Sequence, residues 1–366
     1  MSRQQNSTVL VYKNLGSRDL LDELRAAFNR VIYYPVDGFQ PLTAEDSVPT
    51  DEELAATDIL FAVRLPLNLV SSDQVPRLKL LQLMVSGIGH VTCTPFWKSI
   101  QGRQDFVFAN GTGLQSGVVA EHAVAGTLTL LRGMQHSIRE ACTKRGLSSS
   151  SMDGKRELRG ASVGILGYGA IGRECARLFT AFGCHVAACT RTGSPSMLSS
   201  FQHPLQGDPT GTLPETYYSS SDETSFRQFV EHCDVLVVCL PSEPGNYRLI
   251  GEQTLRWMKN DAVVINVGRG DVVHTDALVQ ALQAGLEPAE ASDPALGQLR
   301  IGAASLDVTD PEPLPQGHVL FTLPNTIVTP HCGGLSDRYD ERGIKLMLDN
   351  ARALEVGDLR GLQNAL

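Results

Sequence analysis

Short apolar runs alternate with amphipathic stretches along almost the whole chain. In the N-terminal part, apolar runs at 9–12, 59–63 and 80–85 are separated by helix-like stretches at 20–28 and 51–56. Short, fully apolar runs are typical of strands that are buried on both faces of a parallel sheet, and the stretches between them fit the covering helices. The pattern therefore predicts a first α/β domain.

A second series of the same kind follows. Its predicted strands lie at 162–166, 186–189, 235–240, 263–267, 303–308 and 327–329, with one helix that ends at 182 and another over 277–284. Strands that alternate with helices in this order form a doubly wound sheet, with helices on both faces. The fold class predicted for the chain is therefore α/β, with two parallel-sheet domains.

Helical patterns at two places set the expected domain boundaries. Residues 117–139 carry apolar positions at helical spacing without proline, which predicts one long helix leading out of the first domain. Residues 337–354 are also helical in pattern, and we expect them to pack back on the first domain. We therefore predict a discontinuous first domain, 1–117 and 336–366, and a second domain, 118–335.

Three polar segments are predicted to be surface loops. They lie at 146–154, 193–224 and 287–299, where Ser, Pro, Gly and charged residues replace the apolar pattern. The second and third interrupt the second βα series, so we expect them to be insertions at its surface.

Length, charge and cysteine content exclude several classes of protein. A chain of 366 residues exceeds what one hydrophobic core usually organises, which agrees with two domains. Lys and Arg number 31 against 40 Asp and Glu, without a long basic run, so no nucleic acid partner is expected. No apolar stretch approaches the roughly 18 residues of a membrane span, and no signal peptide is recognisable, so we expect a cytoplasmic protein. The eight cysteines are scattered without a C-x-x-C pair, and neither disulfides nor a metal site is expected.

A glycine-rich turn follows the predicted strand 162–166 and opens a helix. Its sequence is Gly167-Tyr168-Gly169-Ala170-Ile171-Gly172. In a dinucleotide-binding turn the first glycine makes the tight turn, the second lets the backbone approach the pyrophosphate, and the third lets the helix pack on the strand. The helix N-terminus then faces the anion. The alternative is a purely structural turn, but the strand and helix on either side favour dinucleotide binding.

The end of the next predicted strand, 186–189, indicates which dinucleotide is bound. An acidic residue at this point accepts hydrogen bonds from the ribose of NAD, but here the strand is followed by Thr190-Arg191-Thr192. Arg191 can pair with a 2′-phosphate, and the threonine hydroxyls can donate to it. NADP(H) is therefore favoured, with NAD(H) as the alternative. In that alternative, Arg191 stacks on adenine or points to solvent.

Three charged residues come shortly after later predicted strands: Arg269, Glu312 and His331. Open α/β sheets gather their ligands at the carboxyl ends of strands. Arginine can bind a carboxylate or polarise a carbonyl, histidine exchanges a proton near neutral pH, and glutamate can orient the histidine and stabilise its charged form. Each of the three alone could be structural, but together they indicate an active site.

At these residues the sequence resembles the D-isomer-specific 2-hydroxyacid dehydrogenase family, which includes glyoxylate and hydroxypyruvate reductases. The resemblance covers nearly the whole chain. Its most specific parts are Asn266-Val267-Gly268-Arg269-Gly270, Leu306-Asp307-Val308 with Glu312-Pro313, Pro324-Asn325, Pro330-His331, and Val119-Ala120-Glu121-His122 in the long predicted helix. It implies two Rossmann-like domains: a flavodoxin-like substrate domain, 1–117 and 336–366, and a dinucleotide-binding domain, 118–335.

The resemblance also implies roles for the charged residues and for a segment of the first domain. Arg269 would bind the substrate carboxylate and polarise its carbonyl, His331 would be the acid/base, and Glu312 would be its partner. Val85-Ser86-Gly87 resembles the family's loop whose backbone N–H groups receive the substrate carboxylate. By itself this segment would be only a turn after a strand.

Further residues would contact the cofactor, again as the resemblance implies. Asp307 would contact the nicotinamide carboxamide, Leu240-Pro241 would line the adenosine side, and Val267 would also lie at the cofactor.

The function implied is reversible hydride transfer between NADP(H) or NAD(H) and a 2-oxo acid, which yields a D-2-hydroxy acid. Substrates from glyoxylate or hydroxypyruvate to branched or aromatic 2-oxo acids are all open. The alternative function is a nucleotide-sensing binding protein of the carboxy-terminal binding protein corepressor type, since those relatives keep the same charged residues. Relatives dimerise through the cofactor domain, so a homodimer is expected by resemblance.

Overall fold

The computed structural model describes residues 4–37, 41–144, 155–197, 201, 203, 205–287 and 299–366. The chain forms two compact units. The first comprises Met1–Leu114, Ser199–His203 and Ser336–Leu366, and the second comprises Gln115–Leu198 and Pro204–Leu335. These units differ from the predicted domains at the first boundary, which lies after Leu114 instead of 117, and in the assignment of 199–203.

The N-terminal part of the first unit is a βα series. Its strands are β1 (Gln4–Tyr12), β2 (Phe28–Tyr34), β3 (Ile59–Ala62), β4 (Leu80–Leu83) and β5 (Val107–Ala109). Its helices are α1 (Arg18–Ala27), α2 (Asp51–Ala56), α3 (Gly89–Thr92) and α4 (Pro95–Ile100). Helix α2 begins where it does because Thr50 and Glu53 form a capping box, in which each side chain accepts the backbone N–H of the other residue.

All strands of this sheet are parallel, in the order β2-β1-β3-β4-β5. This is the flavodoxin-like order, and it confirms the predicted fold. Successive side chains of a strand point to opposite faces of the sheet, so in β3 Ile59 and Phe61 join one buried cluster while Leu60 and Ala62 join another. Both faces of the sheet are therefore core, as its apolar runs indicated.

The second unit carries the longer βα series. Its helices are α5 (Ser116–Leu131), α6 (Met134–Lys144), α7 (Ala170–Ala181), α8 (Glu223–His232), α9 (Glu252–Trp257) and α10 (Thr275–Gly285). Its strands are β6 (Ser162–Leu166), β7 (His185–Thr190), β8 (Thr216–Ser219), β9 (Val235–Val238), β10 (Val263–Asn266), β11 (Ala303–Leu306) and β12 (Thr326–Val328).

The strands of the second unit form one parallel sheet in the order β12-β11-β10-β9-β6-β7-β8. The chain changes direction across the sheet between β6 and β9, which makes this the topological switch point where doubly wound sheets bind ligands. In β9, Val235 and Val237 face one buried cluster and Leu236 and Val238 the other. The predicted doubly wound sheet is confirmed.

The prediction of a single helix over 117–139 was wrong, because the chain breaks at Gly133 into α5 and α6. Gly133 has a φ of +63°, in the left-handed region that glycine adopts without a steric penalty. Its N–H donates to the Leu130 oxygen at 3.1 Å, and the Arg132 N–H donates to the Leu128 oxygen at 3.0 Å. These bonds close the last turn of α5 and redirect the chain into α6.

The predicted surface loop 193–224 was wrong in its second half. Residues Thr216–Ser219 form β8, which pairs with β7 at the edge of the sheet. The strand was missed because Thr216 is exposed and the next three side chains are only half-buried, so the apolar run that marks the inner strands is absent. The predicted loop 146–154, and residues 288–298 of the predicted loop 287–299, lie outside the described residues.

Helix α11 (Tyr339–Glu355) belongs to the first unit, and it forms where the helical pattern at 337–354 predicted it. The Tyr339 hydroxyl donates to the backbone oxygen of Met84, just after β4. The buried amide of Asn350 donates to Gln82 Oε1 at 2.8 Å. Polar groups inside the core are therefore satisfied between the helix and the sheet.

Phe201 adds a further buried side chain to the first unit. Its N–H donates to Asn364 Oδ1 at 2.7 Å. A Cβ on Gly113 would lie 2.0 Å from the Phe201 oxygen, so the two backbones pack closely there. The first unit is therefore assembled from three separate parts of the chain.

Candidate active site

The dinucleotide turn lies between β6 and α7, at the switch point. Gly167 has a φ of +96°, and a Cβ on Gly172 would lie 2.1 Å from the Gly167 oxygen, so only glycine permits this packing of helix on strand. Ala170 is the first residue of α7, and Ile171 packs against the core. A Cβ on Gly169 would meet no described heavy atom within 4 Å. The space in front of the helix N-terminus is therefore open, which fits a bound pyrophosphate.

Tyr168, the second residue of this turn, faces the interior. Its hydroxyl donates to Asp208 Oδ2 at 2.7 Å, and the Arg173 guanidinium lies 4.9 Å from the centre of its ring. Burial and the hydrogen bond to Asp208 raise the pKa of Tyr168. Arg173 donates to the backbone oxygens of Asp208 and Ser196 at 2.5 Å. The Tyr168 side chain is thus engaged within the protein, and its predicted cofactor contact would be made by its backbone.

The two threonines at the end of β7, Thr190 in the strand and Thr192 beyond it, are placed differently from one another. The Thr190 hydroxyl accepts from the Gly193 N–H at 3.0 Å and donates to the Ser194 oxygen at 3.4 Å. It therefore closes a local turn, which sequence reasoning did not foresee. Thr192 is exposed.

Arg191 projects from the surface at the end of β7, with its side chain 80% exposed. Its Nη2 lies 3.6 Å from Oε2 of Glu243. Sequence reasoning missed Glu243 because it belongs to the segment after β9, two strands along the sheet. The signal was the position of Glu243 shortly after Leu240-Pro241, which the resemblance already placed at the adenosine side.

Leu240 lies between the dinucleotide turn and the segment after β10. The Leu240 side chain is 3.1 Å from the position that a Cβ on Gly167 would take. The Leu240 backbone oxygen is 2.6 Å from the position that a Cβ on Gly268 would take. The Pro241 oxygen accepts from a side chain in the same loop, and Val267 is buried after β10. The structure therefore brings the ends of β6, β9 and β10 together.

The Arg269 backbone is held in a braced turn. The fully buried side chain of Asn266 accepts from the Gly268 N–H at 3.1 Å and donates to the Arg269 oxygen at 3.0 Å. A Cβ on Gly270 would lie 1.9 Å from the Thr309 oxygen, so the turn also packs tightly on the segment after β11. Arg269 Nη1 donates to the Gly268 oxygen at 2.7 Å. That is the only hydrogen bond of this guanidinium within the described residues, and its other N–H groups can bind a ligand.

His331 and Glu312 form the pair that the sequence predicted. The His331 Nδ1 lies 2.6 Å from Glu312 Oε1, and both side chains are partly exposed. Because a carboxylate can only accept, Nδ1 carries the hydrogen, and Nε2 is the nitrogen available to a ligand. The His331 backbone has a φ of +52°, and its N–H donates to the oxygens of Asp307 and Thr329 at 2.8 and 3.0 Å.

The Asp307 carboxylate is buried beneath this histidine. Its Oδ1 accepts from the Thr329 hydroxyl at 2.6 Å and from the Cys332 N–H at 3.0 Å, and its Oδ2 accepts from the Gly333 N–H at 2.9 Å. His122 of α5 lies beside the same group, with Nε2 3.6 Å from Oδ1. Sequence reasoning identified Asp307 but gave Thr329 no role and did not connect His122 with it.

The loop 85–87 of the first unit has its carbonyls turned inward. The Gly111 N–H donates to the Val85 oxygen at 2.9 Å, and Asn110 Nδ2 donates to the Ser86 oxygen at 3.2 Å. In a trans peptide the following N–H points the opposite way, so the N–H groups of Ser86 and Gly87 point away from these donors. Both residues are exposed, and no described acceptor bonds to either N–H. This arrangement can receive an anion.

The environment of three cysteines in the second unit raises the pKa of their thiols. Burial and the nearby Asp307 carboxylate raise the pKa of Cys332, beside His331, so this residue is a thiol at neutral pH. Burial likewise raises the pKa of Cys184 to about 11 and that of Cys189 to about 12.

No described cluster of His, Cys, Asp or Glu could hold a metal ion. Within the same residues, no helix has both the length and the apolar character needed to cross a membrane.

The fold is that of a two-unit α/β protein whose second unit is a doubly wound sheet with a glycine-rich turn at its switch point. A family model described as "D-isomer specific 2-hydroxyacid dehydrogenase, NAD binding domain" matches residues 124–333. This match spans more than half of the chain, and the chain belongs to that family.

Two curated enzymes and one solved structure are among the known proteins similar to this chain. A glyoxylate reductase of Aeropyrum pernix is 27% identical over 334 residues, which cover 89% of this chain and 88% of that enzyme. A glyoxylate reductase/hydroxypyruvate reductase of Mus musculus is 33% identical over 64% of this chain and 62% of its own length. A D-isomer specific 2-hydroxyacid dehydrogenase from Xanthobacter autotrophicus Py2, solved with NADPH and MES, shares the fold with a TM-score of 0.70 at 20% identity, covering 99% of this chain and 98% of its own.

Proposed function

We propose that this protein reduces a 2-oxo acid to the D-2-hydroxy acid with a reduced nicotinamide dinucleotide, in a reversible reaction. The observation that carries the proposal is the His331–Glu312 pair, which lies in the same unit as Arg269 and the dinucleotide turn. The printed names of the relatives, glyoxylate reductase and hydroxypyruvate reductase, support the same substrate class. When bound, the cofactor supplies the hydride that reduces the carbonyl carbon.

In this proposal His331 handles the proton. Its Nε2 donates to the substrate oxygen as that oxygen gains negative charge, and Nε2 takes the proton back in the reverse direction. Glu312 keeps the ring in one tautomer through Nδ1 and stabilises the imidazolium before the proton leaves.

Each unit, taken by itself, carries a group that we propose for binding the acid: Arg269 in the second unit and the loop 85–87 in the first. A guanidinium binds a carboxylate through two parallel hydrogen bonds, and Arg269 uses only one of its donors within the described structure. The same positive charge stabilises the oxyanion that develops from the carbonyl. In the first unit, the backbone N–H groups of Val85, Ser86 and Gly87 would receive the carboxylate.

The second unit would hold the cofactor. The residues proposed for this are Gly167, Tyr168, Gly169, Ala170, Ile171, Gly172, Thr190, Arg191, Thr192, Leu240, Pro241, Val267 and Asp307. Each carboxylate oxygen accepts two hydrogen bonds, and Asp307 Oδ2 takes only one from the described protein. Asp307 can therefore still accept the nicotinamide carboxamide that we predict it contacts.

Replacement of Gly169 by alanine is expected to weaken NADPH binding by about tenfold or more and to leave thermal stability unchanged, since the new methyl group projects into the space proposed for the pyrophosphate. Gly169 has φ −85° and ψ −160°, which alanine adopts without strain. Fluorescence titration and thermal unfolding measure the two effects. Gly172→Ala is the contrasting variant: its Cβ would meet the Gly167 oxygen at 2.1 Å, so it should lower stability. Unchanged NADPH affinity in Gly169→Ala would contradict the assignment.

Arg191 is the basis for proposing NADPH as the preferred cofactor. We expect Arg191→Gln to weaken NADPH binding by about tenfold while NADH affinity changes little, because only NADPH offers a 2′-phosphate for a charge-assisted bond. Glu243→Gln should have the opposite effect, a two- to fivefold gain for NADPH on the order of one exposed ion pair, because it removes a carboxylate 3.6 Å from the guanidinium. Titrations of both variants with both cofactors measure this. Equal losses for NADPH and NADH in Arg191→Gln would instead indicate stacking on adenine.

Turnover tests the function directly. The oxidation of NADPH, and separately of NADH, is followed by absorbance with glyoxylate, hydroxypyruvate, 2-oxoisocaproate and phenylpyruvate. We expect turnover with at least one acid, with NADPH preferred, and a chiral separation should show the D product. Tight cofactor binding without turnover of any 2-oxo acid would favour the alternative of a nucleotide-sensing corepressor, which the names of the relatives do not favour.

We also propose that the protein is a homodimer. Ile138 and Phe321 are each about half exposed in the second unit and line a pocket with residues of the edge strand β12, and such apolar surface is typical of an interface. Light scattering at micromolar concentration measures the mass, and a monomer would contradict the proposal.

A further inference from the structure

The chain on both sides of His331 is tied to one buried carboxylate, through a side-chain hydroxyl before the histidine and through backbone N–H groups after it. Asp307 accepts from Thr329, two residues before the histidine, and from Cys332 and Gly333, directly after it. The oxygen of Asp307 also accepts the His331 N–H at 2.8 Å. This residue therefore contacts the segment before, at and after the proposed acid/base.

His331 needs such support because its backbone is in a sparsely populated conformation. A φ of +52° is uncommon for a residue with a side chain, and such a conformation persists only where the surroundings fix it. Without the bonds to Asp307, the segment could relax, and the imidazole would move relative to a bound substrate.

The Thr329 hydroxyl connects Asp307 to helix α5, because it also contacts His122 of that helix. A hydroxyl has one hydrogen, and Thr329 must use it toward Asp307, because the carboxylate at 2.6 Å can only accept. The contact of 3.1 Å between Thr329 Oγ1 and His122 Nε2 therefore has the His122 N–H as its donor. The direction of both bonds follows: His122 donates to Thr329, and Thr329 donates to Asp307.

The His122 ring also fits closely against the segment after His331. A Cβ on Gly333 would lie 3.1 Å from His122 Cγ and 2.8 Å from Asp307 Oδ2. Glycine is thus required where α5, Asp307 and this segment meet.

We propose that Thr329 is a positioning residue for His331, and that His122 orients it: the chain from His122 through Thr329 to Asp307 fixes the backbone that presents the imidazole. As a role in catalysis, this rests on the proposed function. None of the three residues needs to contact the substrate for this effect.

Thr329→Val and Thr329→Ser are the paired variants that test the proposal. Valine has the shape of threonine without the hydroxyl, and serine keeps the hydroxyl. We expect Thr329→Val to lower kcat by about 10- to 100-fold, with little change in the KM for the 2-oxo acid, because a misplaced catalytic group costs rate rather than binding. Thr329→Ser should recover most of the loss. Thr180→Val, on the exposed end of α7, is the control for a threonine-to-valine change elsewhere in this unit.

His122 provides a second, independent pair. His122→Gln can still donate an N–H to Thr329, whereas His122→Phe cannot. We expect kcat to fall severalfold more in the phenylalanine variant than in the glutamine variant.

Hydrogen exchange gives a readout that does not depend on turnover. The N–H groups of Cys332 and Gly333 donate to Asp307, so in the wild type they should exchange slowly, and in Thr329→Val they should exchange at least several times faster. NADPH affinity, measured by fluorescence, should be retained in Thr329→Val, which checks that the unit is folded.

The two kinds of failure are distinguishable. If no 2-oxo acid is reduced by the wild type, the proposed function fails, and the exchange experiment still decides whether Thr329 fixes this backbone. Equal exchange in the wild type and Thr329→Val, equal kcat in the two, or no recovery in Thr329→Ser would each overturn the proposal.

Discussion

His331→Gln is expected to lower kcat for reduction of the 2-oxo acid by about 10³-fold, because a positioned general acid contributes roughly 10²- to 10⁴-fold. Glutamine keeps a side chain of similar reach that can still face Glu312, but its amide does not release a proton near neutral pH. The loss should lie in kcat, while NADPH binding is unchanged, since the histidine acts on the substrate oxygen. Steady-state kinetics and fluorescence titration separate the two effects.

The chain offers a matched control for this variant. His185 also pairs with a glutamate, with Nδ1 2.9 Å from Glu215 Oε1, but it lies at the start of β7. His185→Gln therefore removes a comparable surface pair away from the carboxyl ends of the strands, and kcat should stay near that of the wild type. A His331→Gln enzyme with more than about a tenth of wild-type kcat would contradict the proposed acid/base role.

Arg269→Gln is expected to lower kcat/KM by about 10³-fold, since it removes both a carboxylate-binding group and a charge that stabilises the developing oxyanion. Both kinetic constants should change: KM for the 2-oxo acid rises and kcat falls. Arg269→Lys should recover only part of the activity, because an ammonium keeps the charge but not the two parallel donors. The fold should survive, because Asn266 and Gly270 brace the turn independently of the guanidinium.

Arg227→Gln is the control for the loss of an arginine in this unit. Arg227 donates to Glu231 at 2.7 Å on the exposed face of α8, and its replacement should leave both kinetic constants unchanged. The proposed role of Arg269 predicts that the KM effect depends on the substrate carboxylate. An Arg269→Gln variant with wild-type KM for every 2-oxo acid would therefore contradict it.

The framework of the site could be predicted because its strands are buried on both faces. Strands such as β9 and β10 are apolar at nearly every position, so their ends are visible in the sequence. A polar or charged residue shortly after such a strand, as at Arg269, then stands at the sheet edge where ligands collect. The same logic found the dinucleotide turn after β6. The pairing of His331 with Glu312 followed from residue chemistry together with the family resemblance.

What could not be predicted depends on contacts between distant residues or on weak patterns. His122 and Thr329 are 207 positions apart, and nothing in either segment indicates their contact. Glu243 approaches Arg191 only because β9 and β7 flank β6 in the sheet. Gly133 was missed as a break because the apolar spacing continues past it, although a glycine in a long helical pattern is itself a stop signal. The roles assigned to the site residues stay predictions until the variants are measured.

The first unit is assembled from distant parts of the chain, and this affects how it folds. Its core depends on hydrogen bonds between Met84 and Tyr339, Gln82 and Asn350, and Asn110 and Asn364, which span 255, 268 and 254 positions. Closing loops of this length is entropically costly and slows folding.

Synthesis proceeds from the N-terminus, and domains fold as units as they emerge from the ribosome. All residues of the second unit, Gln115–Leu198 and Pro204–Leu335, are translated before α11. The segment Met1–Leu114 must therefore wait, with part of its apolar surface uncovered, until the C-terminal helix is released. The unit whose first segment is translated earliest is therefore the unit that is completed last.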